Sequence, residues 1–147
     1  MAEVSEDRKE VEERAAANAA VVQEYRSTGG QLSGPMAAFK VVLVHHKGAK
    51  SGVERVNPVA YREAGDNIAV FASNGGRKAN PDWYHNLVAH PETVVELATE
   101  TFPVRARVAS GEERTEIWEP LKADAPMFAE FAKTAPREIP VVILERI

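Results

Sequence analysis

Three short apolar segments follow one another in the first half of the chain, and the links between them are too short to hold a crossover helix. They are Phe39–His46 (FKVVLVHH), Glu54–Tyr61 and Asn67–Ser73 (NIAVFAS). A parallel connection needs about a dozen residues or more, so segments joined this closely pair antiparallel. Gly65-Asp66 is a tight-turn signal between the second and the third. Pro58 lies inside the second segment. Proline has no N–H to give to a ladder, which predicts an edge or a bulge at that point.

The remaining elements fall around these three. A helix is expected from Ser5 to about Ser27 (roughly 6–27), with Ser5 as its cap and Asp7, Glu10, Glu12 and Glu13 near its positive end. Val11, Ala15, Ala19, Val22 and Tyr25 form one apolar stripe on it, and Gly29-Gly30 stops it. Asn80-Pro81-Asp82 reads as a helix start with Asn80 as cap, for a helix Pro81–Ala89. Strands follow at about Thr93–Ala98 and Phe102–Ala109, helices at Gly111 to about Ala123 and Pro126–Lys133, and a last strand at Pro140–Leu144. The order α-β-β-β-α-β-β-α-α-β is an α+β arrangement. About six mainly antiparallel strands with flanking helices suggest a small barrel rather than a doubly wound sheet. The 147 residues fit one domain, 1–147.

Composition removes several classes of function. The chain has no cysteine, which excludes disulfides, thiolate metal sites and a catalytic thiol, and suits a reducing compartment. A net charge of −4 argues against general nucleic-acid binding. No apolar run approaches the ~20 residues of a membrane span, and the charged N-terminus does not resemble a signal peptide. His45, His46, His85 and His90 have no metal-ligand spacing, and GxSxG is missing, so neither a metal site nor a nucleophile elbow is expected. His45 and His46, adjacent on a strand, must face opposite sides.

Two loops stand out. His46-Lys47-Gly48-Ala49-Lys50-Ser51-Gly52-Val53-Glu54-Arg55 joins two strands and offers two glycines, the cations Lys50 and Arg55, the Ser51 hydroxyl and loop amides. That is phosphate-binding chemistry, and it is also the composition of a solvated hairpin. It is not a Walker loop, because the GxxxxGK[ST] order is absent. Ser73-Asn74-Gly75-Gly76-Arg77-Lys78-Ala79-Asn80 leaves a strand for a helix, with Gly75-Gly76 exposing amides and Arg77 and Lys78 adding charge. Two basic, glycine-containing loops after strands suggest a cleft for an elongated polyanion. Trp83 and Trp118 read as core residues before stacking platforms.

With both loops in view, the chain resembles the deazaflavin-dependent nitroreductase and quinone reductase family, whose members use coenzyme F420. The likeness runs through NAAVVQEYRSTGGQLSGP, KGAKSGVERVNPVAY, GDNIAVFASNGGRKANPDWYHNLVAHPETVVEL, VRARVASGEER and REIPVVILERI. GAKSG, ASNGG and NPDWYHNL in that order are its signature. The resemblance implies a split β-barrel of the flavin-reductase type. It also implies hydride transfer from reduced F420 to small electron-poor acceptors such as quinones, nitroaromatics or unsaturated lactones. It puts Lys50 and Arg55, with Ser51 between them, at the phosphate. Ser73, Asn74 and Gly75, with Gly76, fall on the deazaflavin side, and Lys78, Asn80 and Trp83 on the continuation of the groove. Ser73, the last residue before the glycine turn, is the candidate catalytic group. FMN in the same fold, or F420 binding without turnover, are the alternatives. A cytoplasmic monomer or homodimer is expected, with at most a peripheral membrane contact. Two departures stand out: His45-His46 where the family often has threonines, and Phe128 and Phe131 where it often has tyrosines.

Overall fold

A computed structural model describes residues 2–147, and side chains from Glu12 onward apart from Pro35. The first helix, α1, spans Ala2–Thr28. It starts before Ser5, so Ser5 lies within it rather than capping it. Side-chain roles expected of Ser5, Asp7, Glu10 and Val11 lie outside the described residues. Of the apolar stripe, Val22 and Tyr25 are buried, while Ala15 and Ala19 are exposed. Among its described side chains, those that dock lie in its last turns. No helix among the described residues is long and apolar enough to cross a membrane.

Six strands follow the expected order: β1 (Val41–Lys47), β2 (Glu54–Ala64), β3 (Asn67–Phe71), β4 (Glu92–Leu97), β5 (Glu100–Val108) and β6 (Val141–Arg146). Between them lie α2 (Asp82–Ala89), α3 (Gly111–Asp124) and α4 (Pro126–Thr134), and two short 3-10 turns at Gly34–Ala38 and Asn74–Gly76. The strands close a barrel in the order β1-β2-β3-β6-β5-β4. All pairings are antiparallel. The split β-barrel expected from the sequence is the architecture found.

Alternation along each strand separates three apolar layers. Val42, Val44, Ile68, Val70, Val95, Val104 and Val142 fill the barrel interior. Ala69, Phe71 and Ile143 face outward under α3 and α4, against Trp118, Leu121 and Phe128. Val41 and Leu43 face outward under α1, against Val22 and Tyr25. The short helix α2 lies across one mouth of the barrel, with Trp83 and Leu87 inserted into the interior cluster. Burying such side chains contributes about 1.5–3 kcal/mol each, which is what holds so short a helix in place.

Strand directions put the functional segments together. Because β1, β3 and β5 run one way and β2, β4 and β6 the other, the loops after β1 and β3 and the segment before β6 share the end plugged by α2.

Candidate functional site

β2 is bonded to β1 from Val41↔Ala60 to Lys47↔Glu54, but to β3 only from Tyr61↔Val70 to Ala64↔Asn67. Beyond Tyr61 the two strands part. Pro58 sits in this half-paired stretch, opposite Leu43 of β1, so its missing N–H costs no ladder bond on the open side. The parting leaves a seam with the 48–53 loop and Arg55 on one flank and the 72–80 loop on the other.

The first loop is braced from within. Gly48 N–H donates to Val53 O and Gly52 N–H to Gly48 O, both at 2.9 Å. Gly52 has φ +70°, a conformation that favours glycine. Val53 N–H donates to Ser51 Oγ at 3.2 Å, which leaves the Ser51 hydrogen to give outward. Ala49 N–H donates to Asn86 Oδ1 of α2 at 2.9 Å. Lys50, Ser51 and Arg55 are exposed.

The second loop is organised by a residue that the sequence reading did not single out. The guanidinium of Arg137 donates to the carbonyls of Ala72, Ser73, Arg77, Lys78 and Ala79 at 3.0–3.2 Å and to Asn80 Oδ1 at 2.5 Å. Asn80 is therefore not the helix cap: α2 begins at Asp82 with Pro81 in the cap position and no side-chain cap bond. Asn74, at φ +48°, donates from Nδ2 to Ala79 O at 2.9 Å. Gly76 N–H is used on Ser73 O at 2.9 Å, so of the two glycine amides expected to face a ligand, Gly75's remains without a backbone partner. Gly76 packs on α4 so closely that a Cβ there would fall 2.6 Å from Thr134 Oγ1. Burial pulls the Arg137 guanidinium below its ordinary value.

Charge concentrates at this end. Elsewhere five arginines are paired, Arg26 with Glu96, Arg62 with Asp124, Arg105 with Glu92, Arg107 with Glu113 and Glu145, and Arg114 with Glu138, while Arg146 lies over the Phe102 ring. Lys47, Lys50, Arg55 and Lys78 form no ion pair with a described carboxylate. The acids nearest in sequence are Glu54 and Asp82. An acidic chain that leaves these cations unpaired holds a local positive field suited to an anion.

At the base of the seam lies a cavity of about 420 Å³, lined by Phe39, Ala60, Tyr61, Phe71, Leu121 and Phe128 among others. Ser73 is two residues beyond Phe71, half-buried, with its carbonyl bound to Arg137 and Gly76 and no side-chain cap bond from its hydroxyl. Burial raises the Tyr61 phenol above its ordinary value, so it stays protonated. Trp83 is 6% exposed within the barrel interior and supports the seam from beneath rather than lining it. Of the residues nominated from sequence, Lys50, Ser51, Arg55, Ser73, Gly75 and Lys78 keep donors for a ligand. Asn74 and Gly76 spend theirs on the loop itself, and Asn80 accepts from Arg137 through Oδ1. Arg137, Asn86 and His46 were missed, because their partners lie far away in sequence.

Comparison with known proteins adds to this geometry. Residues 18–146 match the family model described as F420H(2)-dependent quinone reductase. A Mycobacterium tuberculosis protein whose assigned name places it in that same family is 40% identical over 106 residues, 70% of this chain and 87% of its own. The solved structure of an F420-H2 dependent reductase superposes with a TM-score of 0.65 at 36% identity, over 72% of this chain and 94% of that one. A second solved structure, described as a domain-swapped dimer, gives 0.67 at 32% identity over 96% and 98%.

Proposed function

The chain belongs to the F420H(2)-dependent quinone reductase family, and on that footing we propose that the seam between β2 and β3 holds the phosphate-bearing arm of the cofactor while the adjoining cavity seats a small electron-poor acceptor. The chain is an F420H2-dependent oxidoreductase. Its residues suit that cofactor, which carries a phosphodiester and carboxylates: the cations and hydroxyls that flank the seam are not spent on one another. When bound, the cofactor supplies a hydride from its reduced ring.

The chain's own groups supply position and electrostatics. Lys50 and Arg55 give charge-assisted hydrogen bonds to phosphate, with the Ser51 O–H beside them. Lys78 serves the tail carboxylates, and the Gly75 N–H the ring side. Ser73 Oγ steadies charge on the acceptor or passes it a proton. Tyr61, held as a neutral phenol, offers a second donor where Phe128 and Phe131 offer none. Phe39, Phe71, Leu121 and Phe128 give the cavity an apolar wall, alongside Lys40, Arg62 and Glu63. A quinone is the first acceptor to expect, with nitroaromatics and unsaturated lactones after it.

The observation that carries this reading is the set of unpaired cations on two loops that flank one parted pair of strands. Absorbance titration with F420 and with FMN, followed by turnover with reduced F420 and menadione, tests it. Binding of FMN without F420 would replace the cofactor. F420 binding without turnover would make the chain a carrier.

A further inference from the structure

His46 and Asn86 are polar side chains buried to nine-tenths or more, at 4% and 7% exposure, and they bond to each other. One fixed donor settles every proton in their network. Ala49 N–H can only donate, so the atom of Asn86 facing it at 2.9 Å is Oδ1. The Asn86 Nδ2 then faces His46 Nδ1 at 2.9 Å and donates to it. A ring nitrogen that accepts carries no proton, so the ring proton is on Nε2 and is given to Asn57 Oδ1 at 2.7 Å.

We infer that neutral His46 is a positioning residue for the Gly48–Ser51 loop, and that protonating it loosens this loop and weakens cofactor binding. The inference rests on the reading of that loop as the phosphate seat. A proton on Nδ1 would meet the Asn86 amide hydrogens head-on. Asn86 could turn Oδ1 toward the ring, but its Nδ2 would then oppose the Ala49 N–H. In the first state the buried ring N–H loses its acceptor, in the second the Ala49 N–H of the loop does, and the residue after Ala49 is Lys50.

The groups around His46 divide. Arg55 on β2 and the neighbouring His45 oppose its charged form, and Asp82 on α2 favours it. On β4, the other neighbour of β1, Glu96 meets His45 on the opposite face at 2.7 Å. Burial is the largest influence and holds the ring below its ordinary value of 6.5.

The sign of the pH response separates this relay from simple electrostatics. A protonated imidazole beneath an anion seat would, by charge alone, tighten binding as pH falls. The relay demands weakening. F420 affinity would be measured from pH 8 to pH 5 in the wild type and in His46→Asn, which offers Asn86 an acceptor but cannot titrate. In parallel, nitrogen NMR of the cofactor-free protein would follow the His46 ring and the Ala49 amide. The wild type should lose about tenfold in affinity, the scale of one hydrogen bond, as the ring titrates. His46→Asn should lack that pH dependence, whatever its affinity at pH 8. The ring should show the Nε2–H tautomer, and the Ala49 amide should move with its titration. Affinity that is flat or rises on acidification, a ring still neutral at pH 5, or an Ala49 amide indifferent to the ring would each overturn the inference. The NMR arm needs no cofactor and remains decisive if His46→Asn fails to fold. Failure of the phosphate-seat reading would show separately, as unchanged F420 affinity in Lys50→Ala.

Discussion

Arg137 reaches back from the segment before β6 to donate from Nη1 to Asn80 Oδ1 at 2.5 Å, across 57 residues of sequence. The same guanidinium holds five carbonyls of the loop after β3. Lysine has the charge but not the planar fork of donors. Arg137→Lys should therefore cost on the order of 3 kcal/mol, because several carbonyls lose their donor at once. Urea unfolding would measure this, and an unchanged midpoint would remove Arg137 from the role.

Lys50→Ala and Arg55→Ala should each weaken F420 binding while leaving the fold intact. A hydrogen bond to a charged group contributes roughly 1.5–3 kcal/mol, so each loss is about one to two decades in affinity. Both side chains are exposed, so wild-type affinity should also fall as salt rises. Fluorescence titration at two ionic strengths checks both, and salt-independent binding would point to a mainly apolar site.

Ser73→Ala should lower turnover by up to about 10²-fold while F420 affinity changes little. The hydroxyl makes no cap bond in its turn, so its removal should not disturb the loop. Single-turnover hydride transfer with C5-deuterated cofactor is the measurement. Full wild-type turnover would leave proton delivery to water.

Tyr25→Phe should loosen α1. The buried phenol donates to Val41 O at 2.9 Å and accepts from Ala98 N–H at 2.8 Å. Phenylalanine keeps the packing but strands both backbone groups, at a cost of about 1–3 kcal/mol. Thermal unfolding compared with the wild type would read the loss.

Acid should destabilise the fold through His46. Its folded-state pKa lies below its ordinary value of 6.5, chiefly from burial. Between the two values the unfolded chain carries the proton and the folded chain does not. This contribution is therefore complete above 6.5 and lost as pH falls through that window. The loss should be smaller in His46→Asn. Identical pH profiles of denaturation in the two proteins would contradict it.

The order of helices and strands was legible in sequence, because apolar periodicity and turn residues act over a few neighbours. Short links made the pairing antiparallel, and Pro58 marked the half-paired stretch of β2. The two loops were legible as basic and glycine-containing, and in the structure Lys50, Ser51 and Arg55 are exposed and Ser73 makes no cap bond. The roles of Asn80, Asn74 and Gly76 were not. Asn74 and Gly76 bond within their own loop, and Asn80 accepts from Arg137 and does not cap α2. Ser5 was likewise read as a cap from residues that α1 runs straight through.

The sequence by itself determined which segments would become strands, that they would run antiparallel, and that two cationic loops would follow β1 and β3. The tertiary structure alone decided that those loops share one end of a closed barrel, that Arg137 shapes one of them, and that His46 and Asn86 tie the other to α2. Local patterns are written in residues a few positions apart. The bonds that shape this site join residues 40 and 57 positions apart, and these exist only once the barrel has closed and brought its loops to one mouth.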